Sequence, residues 1–424
     1  MHLCPKTHNI LSMIHQLLTL LFILCLFLWN KRVKRGVINV SGFIVLIYLI
    51  SIALSFPYVK EFNLEKVVYK TYFVWYGLWF CLLLLLFLFP LLKFDEAKKK
   101  CIVLPPQNIL ESFAIVVGVL SLLSIIYFVP IVVNVFSLYD MSVARAMATG
   151  DGGNPFIKEG LLNTIASVSS SFFGICVFLG YIFYIQHKVK LAGFMLLSSL
   201  AYVFNVFAYV GRDGVIFWGI SIMLGFVIFR NYMTVVQKKI IMSSFILVLC
   251  CFAFLFIRIT SDRFSDQSFV VSIIDYYGQS YPNFCLFMDV DYPISWGAGF
   301  PLFRELLGMG EVSSVRWEMG DTVSWVFGTF IKSLHGNFGP GWTLVIALIS
   351  ALMISGLLKP RSVNLKFNTL FILIMYFDII SQGVFYFRYA TRASNLYMLM
   401  SFVFYLLFSF FCRKSENVLV KSVG

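Results

Sequence analysis

Apolar residues run along this chain in long stretches, and polar residues gather in short connectors between them. A helix needs roughly 20 apolar residues to cross about 30 Å of hydrocarbon. About eleven stretches approach that length. They lie near Ile10–Asn30, Val37–Pro57, Thr71–Leu92, Ile109–Asn134, Leu161–Gln186 and Leu191–Tyr209, then near Val215–Phe229, Ile240–Ile257, Trp342–Leu358, Phe367–Phe387 and Ser394–Phe411. The pattern predicts an all-α polytopic membrane protein, because helices satisfy their own backbone groups in lipid. It divides the chain into 1–257, with eight helices and a smaller loop at 136–160; 258–341, a large loop; and 342–424, with three helices and a tail.

Every second connector is basic: Lys31-Arg32-Val33-Lys34-Arg35, Lys98-Lys99-Lys100, Lys188 with Lys190, Lys238-Lys239 and Lys359-Pro360-Arg361. By the positive-inside tendency these face the cytoplasm, which puts the amino terminus outside and the carboxy terminus, with Arg413 and Lys414, inside. The first apolar run ends in this basic stop with no small-residue cleavage site, so it is expected to remain as the first helix.

Composition agrees, at 60% hydrophobic and 18% aromatic over 424 residues. The net charge of +13 is almost wholly an insertion signal and gives no reason to expect nucleic-acid binding. Its distribution is more telling. Under this topology 14 lysines and 5 arginines face inward, against 6 lysines and 8 arginines outward, accounting for all 33. Insertion alone depletes both types outside and does not favour arginine there. The guanidinium fork matches phosphate or carboxylate bidentately, so the bias points to an outward-bound anion. Most of the nine cysteines sit in apolar runs, and no disulfide framework or paired-cysteine metal motif is present.

Two connectors are long, Phe136–Gly160 and Arg258–Gly341, and both face outward. The second carries an apolar stretch from Ser268 to Met288 suited to a helix lying in the interface, and Trp296, Trp317, Trp325 and Trp342 follow. Those rings suit either the headgroup level or the apolar face of a sugar.

The sharpest local feature is Gly211-Arg212-Asp213-Gly214, between two short apolar runs. A helix from Val215 to Phe229 rises only about 22 Å, which draws the turn towards the outer leaflet and partly desolvates Arg212. Asp213 can cap the next helix or pair with Arg212. Arg258 and Arg263 flank the eighth run with Asp262 and Asp266 interleaved, which also fits a local salt-bridged segment. Arg388 and Arg392 straddle the turn after the tenth run, and Arg145, Arg304 and Arg316 lie in loops. His335, in Leu334-His335-Gly336-Asn337-Phe338-Gly339-Pro340-Gly341, is expected in a non-helical approach to the ninth helix, as a base for a sugar hydroxyl or as a solvated or capping residue. Asp378 is the only ionisable group deep in a run, which weakens a proton- or ion-coupled transporter.

These residues resemble those of the Wzy-type oligosaccharide repeat-unit polymerases of O-antigen and capsule assembly. The similarity rests on the Gly211–Gly214 turn, on Tyr276-Tyr277-Gly278 with Pro282, and on the run from Thr322 through His335 to Asn337-Phe338-Gly339 and Gly341. Asn337 stands where many relatives have Asp, so no carboxylate role is carried over there. The resemblance implies a glycosyltransferase-C-like membrane architecture in a bacterial inner membrane, with a large periplasmic loop. The implied substrate is an undecaprenyl-diphosphate-linked oligosaccharide, the implied chemistry is inverting, and a chain-length regulator is an implied partner. His335 and Arg212 would be catalytic, Arg258, Arg263, Arg388 and Arg392 would bind the diphosphate, and Tyr277 and Trp325 would touch sugar. No cofactor or metal is expected, because the donor is already activated. An O-antigen ligase shares the donor and is the nearest alternative. A lipid-linked oligosaccharide flippase would want two similar halves.

Overall fold

In a computed structural model the chain is 78% helical. The structure describes residues 13–34, 36, 38–137, 143, 145, 147, 155–157, 160–263, 268–310, 327–359, 362–414 and 419–421, without the side chains of 253–263, 269, 413–414 and 419–421. Among the described residues nine helices are long and apolar enough to cross a membrane, or ten if one bent pair counts as a span. The expected eleven differ for a physical reason. The fifth run is broken into Leu161–Ser170 and Phe173–Ile185, bent by 48°, and the tenth is only the 16-residue helix Phe367–Gln382.

The elements in chain order are α1 (Ile14–Val33), α2 (Val40–Glu61), α3 (Glu65–Val68), α4 (Phe73–Lys93), β1 (Cys101–Val103), α5 (Gln107–Phe136), α6 (Leu161–Ser170), α7 (Phe173–Ile185), α8 (Val189–Ser198) and α9 (Ala201–Phe207). They continue as α10 (Asp213–Phe229), α11 (Val235–Arg263), α12 (Phe269–Gly278), α13 (Ser280–Met288), α14 (Pro301–Leu306), α15 (Thr329–Leu358), β2 (Asn364–Lys366), α16 (Phe367–Gln382), α17 (Arg392–Lys414) and β3 (Leu419–Lys421). They form two compact units built from interleaved segments. The first takes Met1–Glu96, Val270–Arg361 and Tyr376–Asn395; the second takes Ala97–Phe269, Ser362–Met375 and Leu396–Gly424.

In the first unit α4 packs on α1 and α15, and α13 packs on α2 and α15. Local chemistry starts these helices where they start. Asn39 caps α2 through Oδ1, which accepts from the Gly42 amide at 2.8 Å and from Asn30 Nδ2 at 2.8 Å. A side chain at Gly42 would collide with both asparagines, so glycine is needed there for room.

In the second unit α7 packs on α8 and α10, and α5 packs on α6 and α9. Thr234 and Gln237 form a reciprocal capping box at the start of α11. A small sheet in the order β2-β1-β3 pairs Ile102 with Leu365 in parallel and with Val420 antiparallel. It gathers the connector after α4, the connector after α15 and the tail beyond α17, three segments read as lying on one side of the membrane from their basic residues. Further bonds join that end of the unit: Lys188 with Glu111, Gln237 Nε2 with the Tyr184 carbonyl, and Tyr232 Oη with the Lys99 carbonyl. In the first unit Lys34 likewise meets Asp95 at 3.4 Å. Within the second unit the connectors after α4 and α15 and the tail beyond α17 thus meet in one sheet.

Candidate functional site

The arginine turn belongs to the second unit. Between α9 and α10 the Gly211 amide donates to the Val206 carbonyl at 3.0 Å, and Val210, with φ 53°, takes the left-handed position that ends α9. A β-branched residue is strained there. Gly211 serves a different need, since a Cβ on it would sit 2.5 Å from a Val206 methyl. Arg212 is the N-cap of α10 and is only 6% exposed, as its expected desolvation requires. Arg145 reaches this turn too, donating to the Tyr209 carbonyl. Two guanidinium groups therefore attend one turn, one of them from the 136–160 loop.

The first unit places Tyr277 and Arg388 on one aromatic head. The amides of Gly328 and Thr329 donate to the Phe385 carbonyl at 2.9 and 3.0 Å, and that of Phe330 to the Gly383 carbonyl at 2.8 Å. This joins the start of α15 to the non-helical stretch after α16. Tyr276 and Tyr277 each pack on Phe385 with ring centroids 5.3 Å apart. Arg388, half-buried, donates from Nη1 to Gln382 Oε1 at 3.0 Å and lies over the Tyr389 ring. Gln382 is fully buried, and its Nε2 has no hydrogen-bond partner among the described residues.

Beside this head, residues 295–310 are moored by Asn337. Its Oδ1 accepts from the Gly299 amide at 2.6 Å and its Nδ2 donates to the Ser333 carbonyl at 2.6 Å. An amide suits this position because it donates and accepts together; a carboxylate would face the Ser333 carbonyl with no proton to give. Arg304 braces the same segment, donating to the carbonyls of Trp296, Met309 and Gly310. Arg392 meets Glu305 at 3.3 Å across a cavity of about 610 Å³ that Arg304 also lines. Leu302 and Asn395 are bonded at 3.2 Å, tying α14 to the start of α17.

His335 corrects an expectation. Helix α15 begins at Thr329, and its break falls at Gly339 (φ 76°, ψ 170°) beside Pro340, four residues beyond the histidine. His335 is thus helical and fully buried. Trp79 Nε1 can only donate, so His335 Nε2 accepts from it at 2.8 Å, and Nδ1 carries the proton donated to the Ile331 carbonyl at 2.8 Å. The one basic lone pair is occupied. In this geometry the ring braces α15 against α4 and is not placed to accept a proton from a sugar hydroxyl.

Lys70 and Asp289 form an ion pair beside α3 and α13, and the hydrogen bond that Lys70 Nζ donates to Asp289 Oδ2 raises the pKa of the Lys70 ammonium above the usual lysine value. Arg258 and Arg263 lie at the end of α11 and their side chains are not described; Trp325, Trp317 and Arg316 lie outside the described residues. Among the described residues no group of three or more His, Cys, Asp or Glu could hold a metal. Sequence reasoning missed the roles of Trp79, Arg145 and Arg304, and only the Arg304 position, between Trp296 and the glycines Gly308 and Gly310, offered a hint of a braced loop.

Fold and site together define a polytopic all-α membrane protein with arginines at helix ends. No family model, curated protein or solved structure matches the chain.

Proposed function

We propose that the chain is a membrane glycosyltransferase that joins undecaprenyl-diphosphate-linked oligosaccharide repeat units into O-antigen or capsular polysaccharide, at the periplasmic face of a bacterial inner membrane. The observation that carries the reading is Arg212, buried at the start of a membrane-length helix with Arg145 at the same turn. A buried cation at the start of such a helix suits the diphosphate of a lipid-linked donor. An acceptor hydroxyl attacks the anomeric carbon of the donor chain and gives up its proton to water. The bond to the diphosphate breaks, and its electron pair leaves on the undecaprenyl diphosphate, where Arg212 stabilises the developing charge. Arg258 and Arg263, in the same unit, are further candidate contacts of the anion. His335 takes no proton in this scheme unless Trp79 first releases it.

Deletion of the gene in a producing bacterium tests the proposal. A polymerase loss leaves lipid A core capped with a single repeat unit on a gel ladder. Core with no repeat unit would make the protein a ligase, and a backlog of precursor in the inner leaflet would make it a flippase; either outcome overturns the proposal.

A further inference from the structure

The second unit contains an apolar groove that its own side chains leave unfilled. It lies between α7, α8, α10 and α11, has a volume of about 390 Å³, and is lined by residues that include Tyr184, Gly193, Leu197, Trp218, Ile241 and Phe245. Helix α11 stands off its neighbours. From Lys238 to Phe252 none of its residues is buried, although it is pinned at one end by Gln237 on the Tyr184 carbonyl at 3.1 Å and touches Trp218 through Phe245 and Phe252. A recess of this kind in a membrane helix bundle does not stay empty, because its walls would forfeit their dispersion contacts. It is too apolar to hold water. Its walls, almost wholly apolar, suit a hydrocarbon chain.

Two lysines flank one end of the groove. Lys190 precedes Gly193 and Leu197 at i, i+3 and i+7 along α8, and Lys238 precedes Ile241 and Phe245 in the same way along α11, so each lysine stands at the edge of the face that lines the groove without lining it itself. Both helices start at this end, and side chains tilt towards a helix's amino terminus, which carries both ammonium groups out past the apolar walls. Neither lysine is in an ion pair among the described residues, whereas Lys188 beside them is engaged by Glu111. Lysines at the mouth of an apolar cleft between membrane helices are the chemistry that selects an anionic lipid headgroup.

We propose that this groove is a binding site for an anionic glycerophospholipid, with one acyl chain between α8 and α11 and the phosphate on Lys190 and Lys238. The site is independent of the arginine turn and of the proposed glycosyl transfer.

The test uses the delipidated full-length protein in detergent, titrated with dioleoylphosphatidylglycerol or dioleoylphosphatidylcholine and read by native mass spectrometry. The anionic lipid should bind roughly 30-fold more tightly, about fivefold for each lysine. Lys190→Gln with Lys238→Gln should abolish that preference and keep the weaker binding of the neutral lipid. Gly193→Leu should lose both, because a Cβ at Gly193 meets nothing within 4 Å and a larger side chain enters the groove without disturbing the bundle. Gly193→Ala, which adds helix propensity, should keep binding and melt no lower than the parent. Equal affinity for the two lipids, binding indifferent to Gly193→Leu, or a protein dimer that covers the groove would each overturn the proposal.

Discussion

The two arginine-bearing turns are built in opposite ways. Arg212 is 6% exposed, on a turn of five residues that Val210 and Gly211 fold back on α9. The Arg392 side chain is 56% exposed and meets a Glu305 side chain that is 60% exposed. A charge withdrawn from water must be compensated by its surroundings or by a ligand, and its interactions are strong. An exposed pair is screened and contributes little. Burial, more than sequence motif, separates a candidate for catalysis from a candidate for solubility or loop placement.

Arg212→Lys attacks the contrast where it is largest. Charge is kept and the bidentate fork is lost, so polymer output on a gel ladder should fall by about 100-fold or more while the amount of protein in the membrane holds. Wild-type chain length in that variant removes Arg212 from the mechanism. Asn337→Asp comes next. Placing a carboxylate against the Ser333 carbonyl should cost roughly 2–3 kcal/mol and lower the melting temperature in detergent. An unchanged melting curve would show that residues 295–299 do not depend on this clamp. Trp79→Phe removes the donor that occupies His335 and should cost about 1 kcal/mol, with polymer length unchanged. A gain in polymer output would instead restore His335 as a base, since its lone pair would be free. The smallest effect belongs to Arg392→Gln, under about 1 kcal/mol and shrinking as salt is added. A loss as large as that of Arg212→Lys would erase the distinction between the two turns.

The helices were legible from hydropathy because lipid demands long apolar runs, and every expected run overlaps a helix. The burial of Arg212 is a matter of packing around its turn, which the shortness of the neighbouring runs does not itself specify. What could not be read is which partner a polar side chain meets. Nothing near Leu334-His335-Gly336 in the sequence indicates that Trp79, 256 positions away, occupies the imidazole. Glycines and Pro340 suggest a non-helical entry to the helix at Trp342, yet the helix runs back to Thr329 and only kinks at Gly339, because a proline does not reveal how far upstream a helix extends. Val210 gave no warning of its left-handed backbone, because a valine is among the last residues expected there. The interleaving of segments into two units is likewise a property of packing that no linear division of the chain specifies.

The small sheet has a bearing on how the protein is made. Strand β3 pairs with β1 across about 320 positions of chain, and it lies beyond α17. At synthesis rates of about 5–20 residues per second, β1 waits roughly 16 s or more for that partner. During that interval one of its edges is open to stray pairing, and its three-residue length limits the hazard. Strand β3 acts as a latch that closes on β1 only once α17 has been made.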